Sequence, residues 1–187
     1  MEIRIVTVGK IKEKYLCDGI AEYAKRLSRY CKLTFCQVAD EKTPDKASEA
    51  LNTQIKNTEG ERLMKHIREQ DYVIALAIDG KTPDSVELSQ KIEKLGVSGI
   101  SSIAFVIGGS LGLSESVLKR ADYKLSFSRM TFPHQLMQMI LLEQIFTIDK
   151  SRIERFMDYA AKTEMLRIDM ALLVSVVLNL LAGSRSE

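Results

Sequence analysis

The sequence predicts one α/β domain built on a mostly parallel sheet with helices on both faces. Strand-like and helical apolar periodicities alternate along the chain, and two strand-like runs, 72–78 (YVIALAI) and 103–107 (IAFVI), are apolar at every position. Continuous apolarity marks strands buried on both faces, as parallel strands are. The chain has 187 residues, of which 45% are hydrophobic and 28% charged. That is an ordinary globular composition, and it excludes a disordered tail, a collagen-like chain and a disulfide scaffold.

The elements follow in order. Residues 2–8 alternate as a strand and end at Gly9. Over 13–30, Leu16, Ile20, Tyr23, Ala24 and Leu27 recur at helical spacing. Residues 33–38, β-branched and aromatic, form a second strand. Residues 48–70 predict a long polar helix with a stripe of Leu51, Ile55, Leu63 and Ile67, interrupted near Gly60. The third strand, 72–78, is closed by Asp79-Gly80. A helix over 85–95, the strand 103–107, a short helix over 114–119 and a fifth strand over 123–127 continue the rhythm. The last core helix is expected to begin at Pro133, because proline suits a first turn where its missing N–H costs nothing. It carries Leu136, Ile140, Leu141 and Leu142. No internal repeat or low-complexity linker interrupts residues 1–146.

Lys+Arg 27 against Asp+Glu 25 leaves a net charge of +2, so charge alone does not announce a nucleic-acid partner. Cys17, Cys31 and Cys36 are odd in number and form no CxxC pair, which predicts reduced thiols in the cytoplasm. The apolar stretch 3–8 is too short for a signal sequence, and the run 170–182, holding Ser175 and Asn179, is too short for a membrane span. A soluble protein without membrane contact is expected.

Ligands of open α/β sheets bind beyond the carboxyl ends of the strands. Three such ends stand out, at 76–80, 108–112 and 126–133. Gly108-Gly109-Ser110-Leu111-Gly112 sets three glycines between a buried strand and a helix, where a flat ligand can approach the backbone; a tight turn is the plainer alternative. The dinucleotide fingerprint is not matched. Gly80-Lys81-Thr82 mimics the end of a phosphate loop, but its leading glycine is replaced by Ala75. The stretch 125–135 (LSFSRMTFPHQ) crowds hydroxyls and apolar side chains before a helix start, whose free N–H groups suit an acceptor or a carboxylate. Helix capping by Thr131 with a hydrophobic staple explains it equally well.

His66 and His134 are the only histidines and no cysteine lies at ligand spacing from either, so no metal site is expected. His134 is a candidate general base, or a capping histidine. Glu143, on a face with Leu136 and Ile140, is expected to be buried in a monomer. That would call for a second chain or a polar substrate; a surface position at the edge of the stripe is the alternative.

Residues 105–112 (FVIGGSLG) and 125–135 together resemble the RlmH group of SPOUT methyltransferases. Val8-Gly9-Lys10 with Glu13-Lys14-Tyr15, and Leu141-Leu142-Glu143-Gln144, fit as well, so the resemblance covers about residues 1–146. It implies a cytoplasmic homodimer with a C-terminal trefoil knot, a rare exception to the rule against threaded chains. It also implies S-adenosylmethionine as cofactor and methylation at N3 of pseudouridine 1915 in helix 69 of bacterial 23S rRNA, in the assembled ribosome. By position, the cofactor would contact Leu76, Gly108, Phe127, Ser128, Arg129, Met130, Thr131 and Phe132, with His134 and Glu143 as candidates to take the N3 proton.

The family pattern is not followed after Gln144. The arginine of its usual Tyr-Arg-Ala segment falls at Thr147, and no Tyr-His-Lys ending appears. Residues 147–187 are expected to form an atypical helical extension packed on the domain or on another protomer. Two other readings follow: a dimeric cofactor- or RNA-binding module impaired in catalysis by its altered tail, and a nucleotide-dependent α/β enzyme. The last is weakest, because neither phosphate motif is intact.

Overall fold

The computed structural model describes residues 1–44 and 46–147. Five strands and five helices alternate: β1 (Glu2–Val8), α1 (Lys14–Leu27), β2 (Lys32–Val38), α2 (Glu49–Met64), β3 (Tyr72–Lys81), α3 (Ser85–Val97), β4 (Ser102–Ile107), α4 (Glu115–Arg120), β5 (Tyr123–Leu125) and α5 (His134–Thr147). All strand pairings are parallel, in the order β2-β1-β4-β3-β5. The α/β architecture read from the sequence is the one found. The extension expected over 147–187 lies, from residue 148 onward, outside the described residues.

Period-two alternation divides the strands between two cores. Ile3 and Ile5 of β1 with Ile103, Phe105 and Ile107 of β4 meet Leu88 and Ile92 of α3 and Leu141, Leu142 and Ile145 of α5. Ile20 and Tyr23 of α1 close this layer. On the opposite face Val6, Val8, Val38, Val73 and Val106 meet Leu63 of α2 and Val117 of α4. Both faces of β4 are therefore covered, which is why its sequence after Ser102 is apolar throughout.

Four local expectations are corrected. The helix α2 runs unbroken through Gly60, because that glycine is buried against Ser114, and it stops at Met64 rather than near residue 70. Strand β3 does not close at Asp79-Gly80: it bulges between Leu76 and Lys81 and rejoins β5, with Lys81 opposite Leu125. Strand β5 ends at Leu125, two residues early. Pro133 precedes α5 instead of opening it, and its carbonyl accepts the first helical bond from Met137 N–H at 3.1 Å.

Candidate active site

Because every strand runs the same way, the ends of β1, β3, β4 and β5 reach one edge of the sheet. A cavity of about 520 Å³ opens there, within the size range of small-molecule sites. Leu76, Ile107, Leu125, Phe127 and Met137 supply apolar wall. Among the described residues no Lys, Arg, Asp or Glu lines it.

The floor is the glycine turn after β4. Gly112 N–H donates to Gly109 carbonyl at 3.1 Å, and Gly112 has φ +84°, a left-handed conformation that favours glycine. A Cβ on Gly108 would lie 2.6 Å from the Gly112 carbonyl carbon. Gly108 is thus required first by the turn's own closure. The space it leaves is filled by backbone, not held open for a ligand.

The opposite wall is the loop between β5 and α5, which braces itself. Ser126 Oγ donates to the Ser128 carbonyl at 3.0 Å, and Met130 N–H donates to Ser128 Oγ at 3.0 Å. Ser126 is buried, so its hydroxyl is spent on this bond. Met130 and Ile78 are 69% and 61% exposed, and both stand on the cavity lining, giving its mouth an apolar rim.

Of the residues expected to hold a cofactor, Leu76, Gly108, Phe127, Ser128, Met130, Thr131 and Phe132 line this cavity, and Arg129 does not. Ala77, Ile107 and Gln135, which lie inside the segments singled out in the sequence but were not named as contacts, also line it, and Met137 lies outside all of those segments. The strand-end rule pointed to the segment holding Ala77 and Ile78, but nothing in the sequence signalled the β3 bulge there.

His134 also lines the cavity, at the first position of α5. It packs against the turn after β1, where a Cβ on Gly9 would sit 3.1 Å from Nε2. Burial pushes its pKa below the usual histidine value, although Asp40 and Glu13 pull the other way. The positive end of the α5 dipole acts in the same direction as burial. Both effects favour the neutral imidazole.

Glu143 is not brought to the cavity. It lies nine residues further along α5, roughly 13 Å at 1.5 Å per residue. The expectation that it would be buried within one chain is not met: Glu143, Leu136 and Ile140 are all partly exposed. Glu143 Oε1 instead accepts a bond from Thr147 Oγ1 at 3.2 Å. Among the described residues no cluster of metal ligands occurs, and no helix is long and apolar enough to cross a membrane.

The family described as "Predicted SPOUT methyltransferase" matches residues 1–153. A protein named Ribosomal RNA large subunit methyltransferase H from Bifidobacterium adolescentis is 64% identical over 146 residues, covering 78% of this chain and 92% of the relative. Proteins of the same name from Alkaliphilus oremlandii and Streptococcus pneumoniae are 60% and 55% identical, with the same coverage of both chains.

Proposed function

The chain belongs to the SPOUT methyltransferase family, and on that premise we propose that it methylates large-subunit ribosomal RNA with S-adenosylmethionine held in the cavity between the glycine turn and the loop before α5. The observation that carries this reading is a cavity with apolar walls, a close-packed backbone floor and no charged lining among the described residues. A dinucleotide or nucleoside triphosphate would bring phosphates that nothing there neutralises. An adenine joined to a methionine brings no phosphate, and its adenine needs apolar walls and backbone hydrogen bonds.

The cofactor, when bound, supplies a methyl group on a sulfonium, open to in-line attack by a nitrogen. Leu76, Phe127 and Phe132 would wall its adenosine part, and the backbone at Gly108 and the loop 128–131 would supply polar contacts. With the donor held against apolar walls, positioning does much of the catalytic work. At the target base the N–H is replaced by N–CH₃, so the chain's own residues must take up one proton. The proton goes to neutral His134.

This role gives a signed pH dependence. Protonation disables the base, so kcat/KM rises with pH through the lowered histidine pKa and is flat above it. His134→Gln is expected to lower kcat by about 10²-fold or more and to remove that acid limb. An unchanged limb in the variant removes His134 from the reaction.

The target is proposed to be N3 of pseudouridine 1915 in helix 69 of 23S rRNA in the assembled ribosome. A second copy of the chain would cover the partly exposed face of α5 at Leu136, Ile140 and Glu143. Residues 1–146 form the catalytic domain in this reading. The test is transfer of labelled methyl from S-adenosylmethionine to ribosomes lacking the modification, with protein-free rRNA alongside. Label at that nucleoside, greater on ribosomes, is expected. Donor binding without transfer favours the second reading, an impaired binding module; Thr147 in place of the family's arginine is the observation behind it.

A further inference from the structure

Glu59 sits mid-helix on α2, on the stripe of Ile55 and Leu63, and is only 4% exposed. Its two oxygens face different loops. Oε1 accepts the Glu41 N–H at 3.0 Å, from the loop after β2. Oε2 has no hydrogen-bond partner and lies against the glycine turn, where a Cβ on Gly109 would be 2.9 Å away. The next residue repeats the pattern: a Cβ on Gly60 would fall 2.1 Å from Oγ of Ser114, which caps α4 just beyond that turn. The Glu59-Gly60 step therefore meets both ends of the turn from outside the cavity. The loop after β2 is fixed to the same helix, because Arg62 donates to the Ala39 carbonyl at 2.9 Å and pairs with the Glu41 carboxylate. From that loop Asp40 reaches the Gly9 turn against which His134 packs.

We propose that Glu59 is a positioning residue of the donor pocket: its buried carboxyl, wedged between Gly109 and the Glu41 amide, sets the glycine turn and the His134 corner at the separation the methyl donor requires. The proposal deepens the reading of this cavity as a S-adenosylmethionine site and rests on it. A carboxylate in a stripe of apolar positions is costly unless paired, and one oxygen here is unpaired. Burial pushes the Glu59 carboxyl above its usual pKa; Asp40 and Glu41 act in the same direction, while the Glu41 N–H and Arg62 oppose it. Burial against Gly109 therefore favours the neutral acid in the wedge. Its contribution is complete below the ordinary carboxylate range and is lost as pH rises through the raised pKa.

Two variants test the wedge, each read by calorimetric binding of S-adenosylmethionine across pH and by amide exchange over residues 108–113. Glu59→Ala removes the wedge. It is expected to weaken donor binding at least about tenfold and to speed exchange in the turn beyond any change in global stability. Glu59→Gln keeps the length and the acceptor but cannot ionise. It is expected to bind within about threefold of the parent and to lose the parent's weakening of affinity at higher pH. Parent-like affinity and exchange in Glu59→Ala, with only a lowered melting temperature, overturns the proposal. If that variant does not fold, a Glu59→Gln pH profile identical to the parent's overturns it. Failure of the parent to bind the donor, with exchange in the turn still governed by Glu59, defeats the donor reading and leaves the wedge standing.

Discussion

Gly108→Val is expected to abolish measurable binding of S-adenosylmethionine, a loss of at least about a hundredfold, or about 2.7 kcal/mol. A Cβ at this position meets the Gly112 carbonyl carbon at 2.6 Å, its oxygen at 2.7 Å and the Leu113 nitrogen at 3.0 Å. These are backbone atoms and cannot swing aside as a side chain can. Gly112 is already in the left-handed region at φ +84°, so the turn must open rather than adjust. Opening it displaces the floor of the cavity. Isothermal calorimetry of the folded variant is the check, with Val97→Ala, at a site 86% exposed and away from the cavity lining, as the control. Parent-like affinity in Gly108→Val would separate the glycine turn from the donor site.

The second large effect lies at the other edge of the sheet. Asp71, just before β3, is 3% exposed. Its Oδ1 accepts from Ser102 Oγ at 2.6 Å and its Oδ2 from Arg68 N–H at 2.8 Å. Arg4 Nε lies 3.6 Å from Oδ2 and has no other partner. Asp71→Ala removes the fully buried carboxylate beside Arg4, leaving its guanidinium only the more exposed Glu2 carboxylate at 3.7 Å, and releases the starts of β3 and β4. A loss of about 3–5 kcal/mol is expected, as for other buried pairs stripped of one member. Urea unfolding measures it. Donor affinity at temperatures where the variant is folded should be unchanged, because this cluster is at the opposite end of the strands from the cavity. A loss under about 1 kcal/mol would mean that Arg4 finds compensation in its bond to the His66 carbonyl.

The two cores were legible because the strand runs differ in kind. The uniformly apolar segments became β3 and β4, in the interior of the sheet, and the more polar residues 33–38 became β2, at its edge. The loops at 108–112 and 125–135 were legible as a site because they break that pattern with glycine, hydroxyls and proline just where parallel strands end. Three features were not legible. The sheet order places β1 between β2 and β4, a tertiary choice that local periodicity does not encode. The β3 bulge was hidden because Asp79-Gly80 has the composition of a closing turn. Gly60 signalled a helix break, yet close packing on Ser114 holds it in helix, so tertiary contact overrides propensity there.

Two acidic residues differ in how far the sequence placed them. Glu143, among apolar neighbours, suggested burial, but the face it shares with Leu136 and Ile140 is left partly open within one chain. Glu59, which the sequence reading did not single out, is among the most buried charged groups described. One signal was available: Glu59 falls four residues after Ile55 and four before Leu63, in the middle of the helix's only apolar stripe.

The most direct test is a crystal structure of the full chain with S-adenosylhomocysteine, the product left after methyl transfer. Density for the ligand is expected between Gly108 and the 127–132 loop, with its adenine on the wall formed by Leu76 and Phe127 and its sulfur facing the mouth at Ile78 and Met130. A ligand bound at any other edge of the sheet, with this cavity unchanged, would contradict the account.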